Sequence, residues 1–152
     1  MGLGINDIAK VDLNLKGIGI GNIRLRNYGE SDTSISVEPL DENLYNEKVG
    51  AFGDMLLNKN YKGRNKLVKI NVLRQTADYA KLQAIIANEE AGLSNIFTVT
   101  LKDNNTKESY ISTACVMKRI VTPMWGPNPE GDVEYQILMS SAIHTPPTQQ
   151  VV

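Results

Sequence analysis

The sequence predicts a mainly β domain with one helix packed on its sheet, and three observations carry that reading. Runs in which apolar and polar residues alternate recur along the chain, which is the period of a half-buried strand. In Leu67–Leu73, for example, Val68, Ile70 and Val72 fall on one side, and Lys69 and Asn71 on the other. Helical spacing is clear in one place, about 77–90, where Tyr79, Leu82, Ile85 and Ile86 make an apolar stripe at intervals of three and four. Finally, 152 residues, 41% of them hydrophobic, suffice for one core and are too few for two comfortable ones.

In chain order, Val11–Lys16 alternates Val11, Leu13 and Leu15 against Asp12, Asn14 and Lys16, and Gly17, Gly19 and Gly21 then interrupt it as a turn or bulge. Those glycines do not make a dinucleotide fingerprint, because the third glycine is not at the required spacing and no helical pattern follows. Ile23–Arg26 continues as a short strand, Asn27–Asp32 is a loop, and Thr33–Glu38 alternates again with Ile35 and Val37 inward. From Leu44 to Tyr61 the pattern weakens into two strands around a Gly50–Gly53 turn. The apolar cluster Met55–Leu57 there belongs either to a partner or to the domain's own core. Gly50–Arg64, with its glycines and weak pattern, is expected to project as a flexible arm that becomes ordered only against a neighbouring subunit.

The central strand at Leu67–Leu73 runs straight into the helix. Thr76 has N-cap chemistry, Asp78 sits where the helix dipole favours an acid, and Gly92 supplies a left-handed stop. Ile96–Lys102 and Lys107–Arg119 flank Asp103–Thr106 (DNNT), a turn built from residues that tolerate tight geometry. Trp125 lies in a proline-bearing loop over 123–131, Val133–Met139 closes the domain, and His144–Val152 reads as an extended, loosely tethered tail.

Charge and motif content bear on function. The net charge of −1 hides two opposite segments: Glu30–Glu47 carries only acids and Lys59–Arg74 only bases. The lone Cys115 excludes an internal disulfide and a cysteine-built metal site and reads as a small apolar filler. His144 has neither acid nor cysteine close in sequence, and no phosphate loop, calcium loop or metal-spaced cluster appears. The expectation is therefore no enzyme, no cofactor and no metal. The lack of a signal peptide agrees with synthesis in a reducing cytoplasm, and no apolar run is long enough for a membrane anchor. Two functions compete with an assembly role: a small nucleic-acid-binding β-domain using 59–74 with Tyr61, and a ligand-binding β-barrel.

The order and texture of the parts (DTSISVEPL, VGAFGD, LVKINVLRQTADYAKLQAII, FTVTLKD, YISTACVMKR, VEYQILM) resemble the tail tube proteins of contractile-tailed bacteriophages, over about 11–142. The resemblance implies a β-sandwich or barrel with a flanking helix, a fold shared with the tube protein of type VI secretion. It implies a structural virion protein whose homo-hexameric rings stack into the inner tail tube, assembled in the bacterial host cytoplasm. A contractile sheath would lie outside, tape-measure protein and phage DNA would pass inside, and baseplate and tail terminator would close the ends. The tube domain would span 11–142, between an N-terminal arm at 1–10 and a C-terminal tail at 143–152. In a heterologous ring the oppositely charged segments suit the contact, so Asp41, Glu42, Phe52, Met55, Leu56, Lys59, Lys62 and Arg64 are candidate subunit or ring interface residues. The wet face of Thr33–Glu38, with Ser34, Ser36 and Glu38, and with Asn46 and Lys48 of the following strand, is the candidate lumen lining.

Overall fold

The computed structural model describes residues 11–17, 21–25, 35–74, 76–93, 95–122 and 132–148; the expected N-terminal arm, Ser34 and the loop around Trp125 lie outside them. The strands are β1 (Val11–Gly17), β2 (Gly21–Leu25), β3 (Ile35–Pro39), β4 (Tyr45–Val49), β5 (Met55–Lys59), β6 (Lys66–Leu73), β7 (Phe97–Asp103), β8 (Ser109–Met117), β9 (Asp132–Ser140) and β10 (Ile143–Thr145). The helix α1 covers Ala77–Glu90. One antiparallel sheet has the order β2-β1-β7-β8-β9-β6-β3, with β10 added to β8, while β4 and β5 form a separate hairpin.

Alternation decides which face of the large sheet is dry. Leu13 and Leu15 of β1, Val68 and Ile70 of β6, Val99 of β7 and Ile137 of β9 are each 0% exposed and form one cluster with Leu82, Ile85 and Ile86 of α1. Each such side chain contributes roughly 1.5–3 kcal/mol relative to exposure. Because α1 packs on both β2 and β6, which lie toward opposite ends of the strand order, the sheet has to curl around the core. This is the mainly β, sandwich-like fold with a flanking helix that the sequence predicts.

The ends of α1 match the sequence signals. The Thr76 hydroxyl accepts from the Tyr79 amide at 3.3 Å. At the other end Gly92 takes φ +91, its amide donates to the Glu89 carbonyl at 3.0 Å, and the Leu93 amide donates to that of Asn88 at 2.9 Å. These are the paired bonds of a Schellman stop.

One irregularity was not visible in the alternation. The pairing of β7 with β8 shifts from Phe97↔Cys115 to Val99↔Ser112, so β8 carries one extra residue. Thr113 and Ala114 are consecutively exposed, and Ser112 turns in, its hydroxyl donating to the Ser140 carbonyl at 2.6 Å. Cys115 beyond the bulge is fully buried, and that burial pushes its thiol pKa up, as expected of a filler rather than a nucleophile.

Candidate assembly surface

The weakly patterned stretch projects as an arm that starts at Tyr45, earlier than expected, and it does not wait for a neighbour to take shape: backbone pairing within the chain makes it a hairpin. Its register is Tyr45↔Lys59, Asn46↔Asn58, Glu47↔Leu57, Lys48↔Leu56 and Val49↔Met55. Every residue of both strands is exposed, so Met55–Leu57 do not close over the domain's own core. The turn is tight: the Gly50 amide donates to the Asp54 carbonyl at 2.7 Å, the Gly53 amide donates to that of Gly50 at 3.0 Å, and Gly53 has φ +86. Phe52 stands at the tip, 97% exposed.

Opposed residues of an antiparallel pair project to the same side, so the register sorts the side chains into two faces. Tyr45, Val49, Met55 and Leu57 share one face with Glu47 and Lys59, whereas Asn46, Lys48 and Asn58 share the other with Leu56. The first face is a wet-exposed apolar strip; the second is mostly polar. Of the predicted residues, Asn46 and Lys48 therefore lie together, but Met55 and Leu56 lie back to back. Tyr45 and Val49 were not singled out from sequence, although the Tyr45-Glu47-Val49 spacing contains part of the signal; Leu57 was, within the Met55–Leu57 cluster.

The arm leaves the large sheet through a hydrogen-bonded root. Asp41 accepts from the Asn43 amide at 3.0 Å, the Asn60 side-chain amide donates to the Asn43 carbonyl at 2.8 Å, and the Asn60 amide donates to the Leu44 carbonyl at 2.8 Å. A 3₁₀ turn at Lys62–Arg64 follows, and the Arg64 carbonyl accepts from the Ala142 amide at 2.8 Å. Gly63 is required there, since a Cβ would come 2.8 Å from the Asp41 carbonyl oxygen. The bonds from Asn43 and Asn60, aided by Lys62, hold the Asp41 carboxyl below its ordinary pKa.

The fold joins the two oppositely charged segments within one chain. Antiparallel β3 and β6 bring Glu38 to Lys69 at 3.2 Å, an exposed pair worth about 0–1 kcal/mol. The basic segment is accordingly divided between the outer sheet face and the arm root, where Lys59 and Arg64 lie over the Tyr61 ring at 5.6 and 4.7 Å. The candidate contacts Glu42, Lys62 and Arg64 are exposed, and Asp41 is partly covered. On β3, Ile35 and Val37 pack on the core, while Ser36, partly buried, alternates outward with exposed Glu38. The helix residues Leu82, Ile85 and Ile86 are buried, with Tyr79 packed beside them.

His144, isolated in sequence, gains partners in space. Its Nε2 lies 2.9 Å from a Glu108 oxygen and its ring stacks on Tyr110 with centroids 4.3 Å apart. Of the segment expected as a loosely tethered tail, the described part, 144–148, is tied down: His144 and Thr145 pair with β8 as part of β10, and the Thr148 amide donates to the Thr106 carbonyl at 3.0 Å. Among the described residues no group of three His, Cys, Asp or Glu side chains is placed to hold a metal, and no helix is long and apolar enough to cross a membrane.

No family model matches the chain, and no curated protein matches it. Solved structures do. The chain is similar to a chain of the anti-feeding prophage baseplate, a six-fold symmetrised cryo-EM structure, with TM-score 0.58 and 8% identity over 98% of this chain and 100% of that one. It is also similar to a chain of the sheath/tube terminator of an extracellular contractile injection system, PVC, in the extended state, with TM-score 0.51 and 12% identity over 93% and 97% of the two chains. At those identities the likeness is one of fold, and it extends over nearly the whole of each chain.

Proposed function

We propose that this chain is a structural, non-catalytic component of a contractile tail, and that it forms the six-membered rings of the inner tube through which phage DNA passes. The observation that carries the reading is the hairpin exposed along both strands, with an apolar strip of Tyr45, Val49, Met55 and Leu57. A monomer has no use for such a strip, which is the mark of a protein contact. The fold shared with chains of two contractile injection assemblies supplies the context.

In this reading the apolar hairpin face lies on a neighbouring copy, and the polar face with Asn46 and Lys48 is left toward the lumen with Ser36 and Glu38. A lumen that avoids arginine clusters lets DNA pass without retention, because each phosphate neutralised by a fixed cation tightens binding. The sheath lies outside the tube, tape-measure protein and DNA pass within, and baseplate and terminator close its ends. Concentrated purified protein should show rings or tubes by negative-stain microscopy; a sample that stays monomeric at all concentrations, with no annular particles beside tail components, refutes the proposal.

A second reading follows from the names of the two assemblies, which are a baseplate and a terminator. A ring at the end of a tube stops after one or two layers, whereas a tube subunit polymerises without limit. The length distribution in the same micrographs separates them.

A further inference from the structure

We infer that the hairpin tip of one copy, with Phe52 as its knob, seats in a cavity at the hairpin root of the next copy. The inference rests on the self-assembly reading above and names the contact. Phe52 is 97% exposed at the apex of a turn closed by two backbone hydrogen bonds, so the ring is presented on a defined support. Among the described residues nothing covers it: the strands are paired from Tyr45↔Lys59 to Val49↔Met55, and five residues of strand hold the tip about 15 Å from the root.

The cavity has the chemistry to receive it. It measures about 560 Å³ and is lined by Leu44, Tyr61, Ala142 and Ile143, with Lys59, Arg64 and Lys66 set against Asp41 and Glu42. That volume lies in the range of ordinary ligand sites and accommodates a phenyl ring with part of its turn. Arg64 already lies over the Tyr61 ring at 4.7 Å, so an incoming phenyl meets an aromatic and a cation together. The sole charge on the Gly50–Asp54 tip is Asp54, and it would face a root with more cations than acids. The smaller cavity of about 320 Å³ between β3 and β8 is lined by Asp103 and Glu108, which would repel that carboxylate.

A tip that fits a different patch of an identical chain makes a heterologous contact. Each copy then retains one free tip and one free root, so the contact propagates through a ring or stack.

The test mixes a chain carrying Phe52→Cys with one carrying Ile143→Cys under mild oxidation; Ile143 is 68% exposed, and the native Cys115 is buried. The expected result is a mixed disulfide favoured over either homodimer, and over the mixture with Ile96→Cys, an exposed isoleucine outside the cavity. Because cysteine shortens the knob, Phe52→Ser and Phe52→Tyr in the otherwise unchanged chain give an independent reading. Serine should raise the concentration needed for assembly by at least about tenfold and tyrosine should restore most of it. Assemblies that form with no preference for the Ile143 cysteine, or with serine and tyrosine behaving alike, overturn the tip-in-root contact and leave the assembly reading standing. An unmodified chain that never assembles, together with cysteine variants that give no mixed disulfide, removes both.

Discussion

If the apolar strip of the hairpin is the contact, two leucines that are neighbours in sequence and alike in exposure must behave differently. Leu57 is 53% exposed on the Tyr45–Val49–Met55 face, and Leu56 is 58% exposed on the Asn46–Lys48 face. Either replaced by asparagine should leave the free subunit within about 0.5 kcal/mol of its original stability, because both sites are open to water. Assembly is another matter. The half of Leu57 that is still wet represents about 1 kcal/mol of burial, and an amide stranded in an apolar contact costs about 1–3 kcal/mol more. A total near 2–4 kcal/mol raises the concentration at which Leu57→Asn assembles by roughly 30- to 900-fold, against about threefold or less for Leu56→Asn. Pelleting across a dilution series measures the ratio, with urea melts of the free subunit as the control. A larger effect of Leu56→Asn would reverse the two faces, and no effect of either would remove the hairpin from the interface.

Three further outcomes test the scaffold around that hairpin. Gly63→Ala drives a Cβ to 2.8 Å from the Asp41 carbonyl oxygen; it should cost about 1–3 kcal/mol and speed hydrogen exchange at the root amides, so unchanged exchange at Asn43 and Asn60 would refute the close approach. Tyr135 is 0% exposed, its hydroxyl has no hydrogen-bond partner among the described residues, and burial pushes its pKa far up. Tyr135→Phe should therefore leave stability unchanged or raise it by about 1 kcal/mol, and a loss of that size in urea melts would reveal a bond to the hydroxyl. The Asp41 carboxyl sits below its ordinary 3.8 in the folded chain, chiefly through the Asn43 amide, so its contribution is complete above that pH and is lost only as pH falls through the lower folded value. Root exchange should be insensitive to this group from neutrality down to about that value, and an Asp41 titration by NMR centred above 3.8 would contradict the sign.

Much of the fold was legible because local chemistry and tertiary packing agree. The helix occupies the predicted span because Thr76 and Gly92 satisfy its end groups and the Leu82–Ile85–Ile86 stripe meets a dry sheet face. Core strands were readable because one face is buried and the other wet, as at Val68 and Lys69. The hairpin blurred for the opposite reason: water reaches both faces of β4 and β5, so burial imposes no alternation on them. Its apolar strip emerges only when the register sets Val49 beside Met55 and Glu47 beside Leu57. The β8 bulge and the His144–Glu108–Tyr110 cluster were out of reach because each depends on pairing between separated segments. The same is true of the charge segments: their signs were plain in sequence, but the pairing of β3 with β6 decides that Glu38 meets Lys69 of its own chain.

The hairpin also poses a stability problem whose solution bears on assembly. A lone two-stranded ribbon is marginal in water, and both of its outer edges offer unpaired backbone groups to any passing strand. Here two devices oppose misuse. Lys48 on one face and Glu47 with Lys59 on the other place charge among the apolar side chains, which discourages a dry, flat pairing between ribbons. The bonds among Asp41, Asn43, Leu44 and Asn60, with the Gly63 approach behind them, fix where the ribbon emerges and hence where its tip can reach. Holding the root lowers the ordering cost of docking the tip, because fewer backbone angles remain to be restricted when two copies meet. It also shapes the wall of the root cavity, so one set of hydrogen bonds presents the knob and forms the hole. A substitution at the root should for that reason weaken assembly from both sides of the contact, whereas one at Phe52 weakens it from the tip alone.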